Sequence, residues 1–218
     1  GTVPYEYNID GGAYQASSTI NGIAAGNHTI RIRDVSLCTF DIPITITQPA
    51  TAVTGSITGQ TNVLCFGGNN GSVTVDGAGG VGPYQYNING GAFGASGTFG
   101  TLTAGVYTVL VRDANLCTFN IPVTITQPAA ALSGSITSQT NVSCFGGNNG
   151  SVTVTGSGGT APYQYKLDAG AFGASGTFGT LTAGSYTVTV RDVNLCTFKV
   201  PVKITQPASA VSGSITSQ

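Results

Sequence analysis

Apolar and polar side chains alternate with a period of two along most of the chain. Tyr107, Val109 and Val111 share one parity while Thr108, Leu110 and Arg112 share the other; Phe119, Ile121, Val123 and Ile125 alternate with Thr118, Asn120, Pro122 and Thr124. In an extended strand successive side chains point to opposite faces, so each run reads as a half-buried β-strand. Further strands are predicted at 53–58, 72–75 and 84–89, and a glycine-interrupted one near 98–102. Turn clusters such as Gly67-Gly68-Asn69-Asn70-Gly71 and Asn89-Gly90-Gly91 separate them. No segment of ten or more residues carries helical spacing. The pattern predicts an all-β protein of tandem immunoglobulin- or fibronectin-III-like sandwiches, about six or seven strands to each.

The pattern returns at a fixed step, 83 − 4 = 79. Pro4, Pro83 and Pro162 keep that step, as do Cys38, Cys117 and Cys196, and Cys65 with Cys144. Residues 50–128 and 129–207 are identical at 60 of 79 aligned positions, so the array reads as a product of tandem duplication. Residues 1–49 read as the C-terminal part of a truncated copy, 50–128 and 129–207 as complete copies, and 208–218 as the first strand of another, within a longer protein. Thr-Gln-Pro-Ala at 47–50, 126–129 and 205–208 closes each copy just before the next strand. A proline in so short a junction favours a semi-rigid rod.

Composition narrows the partners. The chain carries 7 Lys+Arg against 8 Asp+Glu, only 7% charged residues, together with 33 glycines. So few cations cannot neutralise a run of phosphates, which sets nucleic acid and anionic membrane surfaces aside. Thr, Ser, Asn and Gly interrupt every apolar run well short of the roughly 18 residues a membrane helix needs. Neutral, hydroxyl-rich faces can instead pack against identical neighbours without like-charge repulsion, so copies of the same chain in a bundled filament are the expected partner.

Five cysteines fit a cross-linked extracytoplasmic protein. Cys65 with Cys117, and Cys144 with Cys196, lie 117 − 65 = 52 positions apart within one copy, and the mate of Cys38 would fall at 65 − 79 = −14. Cys117 shares the parity of Phe119 and Ile121, which suggests a bridge across the sandwich; within-copy disulfides are therefore expected. The alternative joins Cys38 to Cys65, or Cys117 to Cys144, a step of 65 − 38 = 27 across the Gln-Pro junction.

Five ordered blocks recur in register: Cys-Phe-Gly-Gly-Asn-Asn-Gly-Ser-Val-Thr-Val, Gly-Gly-x-x-Pro-Tyr-Gln-Tyr, Leu-Thr-Ala-Gly-x-Tyr-Thr-Val, Arg-Asp-x-Asn-Leu-Cys-Thr-Phe and Ile-Thr-Gln-Pro. Together they resemble the SprB repeat, a module of very long, secreted surface adhesins of gliding Bacteroidetes. The resemblance implies secretion to the cell surface and a filamentous adhesin serving gliding, attachment or prey capture. Two departures stand out. The tryptophan that commonly follows Pro-Tyr-x-Tyr is absent, and Leu116 and Leu195 replace a usual glycine before the second cysteine, which suggests a turn of different geometry.

Catalysis finds little support, because Glu6 and His28 are each the single residue of their type and acid–base chemistry requires a positioned pair; no catalytic residue, cofactor or metal is assigned. Asp34, Asp113 and Asp192 could offer oxygens to calcium. A calcium site wants about six to eight oxygen ligands, and the neighbouring 67–72 loop has no carboxylate, so an Asx turn is the reading preferred for them. Leu102 through Tyr107 and Leu181 through Tyr186 have the form of a tyrosine corner, with His28 in that place in the first copy. Tyr84/Tyr86 and Tyr163/Tyr165 share one parity with Ile88 and Leu167 and are expected in the core rather than on a sugar-binding platform. Phe93 and Phe99, with Phe172 and Phe178 in the next copy, lie in a glycine-rich stretch read as a contact loop or as an edge strand open to pairing between chains. The expected function is a structural segment of an extracellular adhesin or surface filament, with surface or cell-envelope glycans as candidate ligands. The alternatives are a carbohydrate-binding sandwich or a pilin-like subunit completed by another chain's strand.

Overall fold

The computed structural model describes residues 1–214. These contain fifteen strands and no helix. In the second copy β4 (Thr54–Thr61), β5 (Gly71–Ala78) and β7 (Thr98–Leu102) form one three-stranded sheet, and β6 (Gln85–Ile88), β8 (Gly105–Arg112) and β9 (Thr118–Ile125) form another. All pairings are antiparallel, with β5 central in the first sheet and β8 in the second. The division is that of strands A, B and E against C, F and G in an immunoglobulin-type sandwich.

The third copy repeats the plan with β10 (Ser133–Thr140), β11 (Gly150–Ser157) and β13 (Thr177–Leu181) in one sheet and β12 (Gln164–Leu167), β14 (Gly184–Arg191) and β15 (Thr197–Ile204) in the other. Its strands keep the step of the sequence, since 133 − 54 and 197 − 118 both equal 79. In the first copy β1 (Glu6–Ile9), β2 (Gly26–Arg33) and β3 (Thr39–Ile46) supply only the second kind of sheet. Of the segment 208–218 read as a further strand, residues 208–214 form none and residues 215–218 lie outside the described residues.

Alternation explains the core. Val73 and Val75 of β5 face Val109 and Val111 of β8 and Ile121, Val123 and Ile125 of β9, all buried, in one apolar cluster. The tyrosines close it. Tyr86 and Tyr165 are buried among these residues and their counterparts, and each hydroxyl accepts a backbone N–H, from Gly77 and Gly156 respectively, at 3.0 Å. Tyr84 and Tyr163 pack beside them and donate to the carbonyls of Gly79 and Gly158 at 2.6 and 2.7 Å. None of the four is free to stack on a ligand.

The corner motif forms in all three copies. Tyr107 and Tyr186 donate to the carbonyls of Thr103 and Thr182, four residues upstream, at 2.9 and 3.0 Å. His28 places Nε2 2.9 Å from the carbonyl of Ala24, again four residues upstream, and Nδ1 2.7 Å from a carboxylate oxygen of Asp10. Both partners only accept, so the two contacts are hydrogen bonds together only when both ring nitrogens carry hydrogen, which favours the imidazolium form. The hydrogen bond to Asp10 raises the His28 pKa above its usual 6.5, and the same contact lowers that of Asp10 below 3.8. The raised His28 contributes stability that is complete below its unfolded pKa near 6.5 and is lost as pH rises through its folded value. The lowered Asp10 contributes above 3.8 and loses its contribution as pH falls through its own folded value. An NMR titration should therefore place His28 above 6.5, and Asp10→Asn should bring it back down; an unchanged midpoint in that variant would contradict the pairing.

Candidate functional site at the junction between repeats

The features with chemistry collect where one copy meets the next. At the exit of the second copy the β4–β5 loop folds back on the departing chain. Val63 N–H donates to the carbonyl of Thr126 at 2.9 Å, Thr126 N–H to Asn62 Oδ1 at 3.0 Å, and Gly67 N–H to Gln127 Oε1 at 2.8 Å. Asn141, Val142 and Gln206 repeat the arrangement one copy on. The glutamine of Thr-Gln-Pro-Ala thus ties the connecting segment to a loop of its own sandwich, which stiffens the junction.

At the entry of the third copy a buried carboxylate organises the facing loops. Asp192 Oδ1 accepts the N–H of Cys196 at 2.9 Å and Oδ2 that of Thr160 at 3.0 Å. In the second copy Asp113 accepts from Asn115, Cys117 and Val81 at 2.9, 2.8 and 3.0 Å. Asp34 accepts from Cys38 and Thr2 at 2.9 and 3.1 Å, and these N–H groups, that of Thr2 foremost, lower its pKa. The carboxylates are thereby committed to backbone. Space beside them demands glycine: Gly80 has φ +57° and an added Cβ would lie 2.4 Å from Asp113 Oδ2. Among the described residues no three His, Cys, Asp or Glu side chains are grouped to hold a metal.

Cys65 and Cys196 are joined by a disulfide with Cα atoms 5.8 Å apart and a sequence separation of 131, while Cys38, Cys117 and Cys144 are free and exposed. The expected within-copy bridges Cys65–Cys117 and Cys144–Cys196 are therefore not formed, nor are the alternatives Cys38–Cys65 and Cys117–Cys144. Cys65 sits at the exit end of its sandwich, in the loop tied to Thr126 and Gln127, whereas Cys117 sits at the entry end, before β9 begins. The 8 residues of β9 separate those ends, about 26 Å at the rise of a strand, far beyond the roughly 7 Å that a disulfide can span. Parity identifies the face of a sheet and is silent about its end. At the start of β9 the parity lapses in any case, since Phe119 is 38% exposed.

Two contacts from Leu64 accompany the bridge: Asn194 Nδ2 donates to its carbonyl at 3.0 Å, and Cys196 Sγ lies 3.7 Å from it. The same amide reaches Thr160 Oγ1 at 3.1 Å, so one side chain spans both copies. The Asp-x-Asn pattern is visible in sequence, but its partner in the preceding copy is not.

Leu37, Leu116 and Leu195, preceding the second cysteine of each copy, have φ of 64°, 65° and 67°. The turn thus places leucine in the left-handed conformation that glycine favours. A leucine there is strained by about 1 kcal/mol or more. Leu116→Gly should stabilise the second copy by about 0.5–1 kcal/mol after the added freedom of the unfolded chain. The denaturant midpoint would rise at unchanged slope; a fall would show that leucine makes a compensating contact.

The four phenylalanines do not form an exposed contact loop. Phe99 and Phe178 lie on β7 and β13 and pack partly buried against the cores. Phe93 and Phe172 are half-buried, with the guanidinium carbons of Arg112 and Arg191 3.7 and 3.8 Å from their ring centroids. Tyr14 and Arg33 repeat the stack in the first copy at 3.7 Å. The glycines flanking each ring suggest accessibility, but the arginine at the end of the central strand covers it. Of the glycine-rich stretch 90–100 read alternatively as an edge strand, only residues 98–100 belong to one, β7, which among the described residues lies at the edge of its sheet beside β5.

The SprB repeat family model matches residues 57–93 and 136–172. The chain carries SprB repeats. In each, the matched segment runs from the first strand through the first cysteine to the phenylalanine under the arginine. A comparison with curated proteins yields no match. Among solved structures the chain is similar to the three N-terminal domains of the bacteriophage RB49 outer capsid protein Hoc, at 11% identity and TM-score 0.39 over 92% of this chain and 87% of that one. It is also similar to the eight N-terminal immunoglobulin domains of Down syndrome cell adhesion molecule, at 13% identity and TM-score 0.35 over 84% of this chain and 28% of that one. A third similarity is to domains 4–9 of the surface layer protein SbsC, at 13% identity and TM-score 0.23 over 94% of this chain and 39% of that one.

Proposed function

We propose that these SprB repeats form a structural segment of an extracellular adhesin or surface filament that holds a cell to surfaces or to other cells. The observation that carries the reading is the junction, where a disulfide, an amide contact between copies and a glutamine-anchored connector join consecutive sandwiches. Such a joint transmits tension and limits bending between units. The bridge also suits an oxidising location outside the cytoplasm. Near-identical units multiply length and valency, so that contacts too weak to act singly hold firmly together, and the scarcity of charge leaves neighbouring fibres free to bundle. The carboxylates of Asp34, Asp113 and Asp192 at the ends of the sandwiches are occupied by backbone N–H groups, which supports a mechanical role.

The reading is tested with beads bearing the chain at controlled density on abiotic surfaces and on bacterial cells in flow. Detachment force should rise steeply with density and fall when reductant is added. Detachment indistinguishable from that of uncoated beads would overturn it. Light scattering of the concentrated chain should show side-by-side association; a strictly monomeric particle would remove bundling from the proposal.

A further inference from the structure

The junction contains a receptor and an insert, and the chain presents a second example of each without its mate. The receptor at the third copy is a cleft of about 330 Å³ lined by Ala131, Leu132, Gly159, Cys196 and Thr197, and Cys65 and Phe66 of the preceding copy complete its wall. Subtracting 79 gives Ala52, Val53, Gly80, Cys117 and Thr118, and all five line a cleft of about 560 Å³ at the entry of the second copy. Its receiving cysteine is held as the bonded one is, with the N–H of Cys117 on Asp113 Oδ1 at 2.8 Å and that of Cys196 on Asp192 Oδ1 at 2.9 Å. The insert recurs as Cys144-Phe145-Gly146-Gly147, in the same loop tied by Asn141 and Gln206. Cys144 and Cys117 are exposed, whereas Cys65 and Cys196 are half-buried by each other.

From this we infer that the cleft beside Cys117 is a docking site for the Cys-Phe-Gly-Gly loop of a preceding SprB repeat, and that Cys144 enters the same cleft of a following one. Each junction of the array is then closed by a disulfide of the same span as Cys65–Cys196. The recognition is covalent and largely apolar, and the charged group of the wall, Asp113, is already engaged by backbone N–H groups. Closing each bond removes two electrons and two protons from two thiols. An oxidised dithiol donor accepts them: one cysteine thiolate attacks the donor disulfide and releases a donor thiolate, then the second cysteine attacks the protein sulfur of the mixed disulfide and releases the other. The protons end on the reduced donor, which in the test tube is glutathione.

The inference rests on reading the chain as part of a repeat array and is tested apart from adhesion. A further copy of residues 50–128 is inserted between 207 and 208 of the full chain, Cys117→Ala is introduced at the original position, and the protein is oxidised with glutathione disulfide. Non-reducing peptide mapping should show two bridges, Cys65 to Cys196 and Cys144 to the second cysteine of the inserted copy. The Cys65–Cys196 peptide in the same digest reports that the array has folded. With that peptide present, a bridge between the two cysteines of the inserted copy, or a Cys144 that is still alkylated as a free thiol, overturns the inference. Beads can fail to attach while this linkage forms, and the linkage can fail while beads attach, so the two readings are separable.

Discussion

Stretched from its two ends without reductant, the chain will come up short by about 450 Å, because a stretched chain spans at most about 3.3–3.6 Å per residue and the bridge removes 131 residues from the extensible length. Both complete sandwiches lie largely inside that closed loop, so pulling on the termini cannot draw out the polypeptide between Cys65 and Cys196 even after those sandwiches unfold. Single-molecule force spectroscopy should recover the missing length in reductant or in Cys65→Ser. Cys117→Ser should leave the oxidised trace unchanged, because its thiol is free. Full extension of the oxidised wild-type chain would refute the bridge, whereas a within-copy pairing would hide only the shorter stretches from Cys65 to Cys117 and from Cys144 to Cys196.

The second large effect is expected at the buried aspartate. Asp113 is 2% exposed and accepts three backbone N–H groups. Asp113→Ala leaves three donors without their acceptor, at about 1–3 kcal/mol for a buried group left unsatisfied and with partial relief by water, so a loss of about 3–4 kcal/mol is expected. That is a large share of the stability of a small sandwich domain. Asp113→Asn keeps one acceptor oxygen and should lie between. Denaturant unfolding of the two variants measures the order; a loss below about 1 kcal/mol in Asp113→Ala would show that solvent reaches the loop in place of the carboxylate. The same substitution should raise the alkylation rate of Cys117, since that carboxylate holds the cysteine's own N–H.

Strands were legible in this sequence because β8 and β9 alternate cleanly, and the glycine-broken segment 98–102 was placed correctly by its flanking turns. The corner at Tyr107 and its histidine counterpart were readable too, because the interaction is local and the repeat puts His28 in register with a tyrosine. The cysteine pairing was not. Periodicity assigns a side chain to a face, and the deciding fact was that Cys65 and Cys117 occupy opposite ends of one sandwich. Which end a loop occupies follows from strand order, and strand order does not show in the alternation. Phe93 misled for a related reason, since its arginine cover arrives from β8, a strand distant in sequence. The left-handed turn at Leu116 was not legible, since leucine disfavours that conformation and the Asp113 contacts that surround it exist only in the folded chain.

The span of the bridge has a consequence for survival outside the cell. A protease that cuts the backbone once, anywhere between Cys65 and Cys196, leaves both fragments tethered through sulfur, and the strand pairing of each sandwich keeps the cut ends in place. Were such spans to recur at every step of 79, each would overlap the next by 131 − 79 = 52 positions. No single nick within that overlapped stretch could part the thread, which would behave less like a string than like a rope with a spare ply.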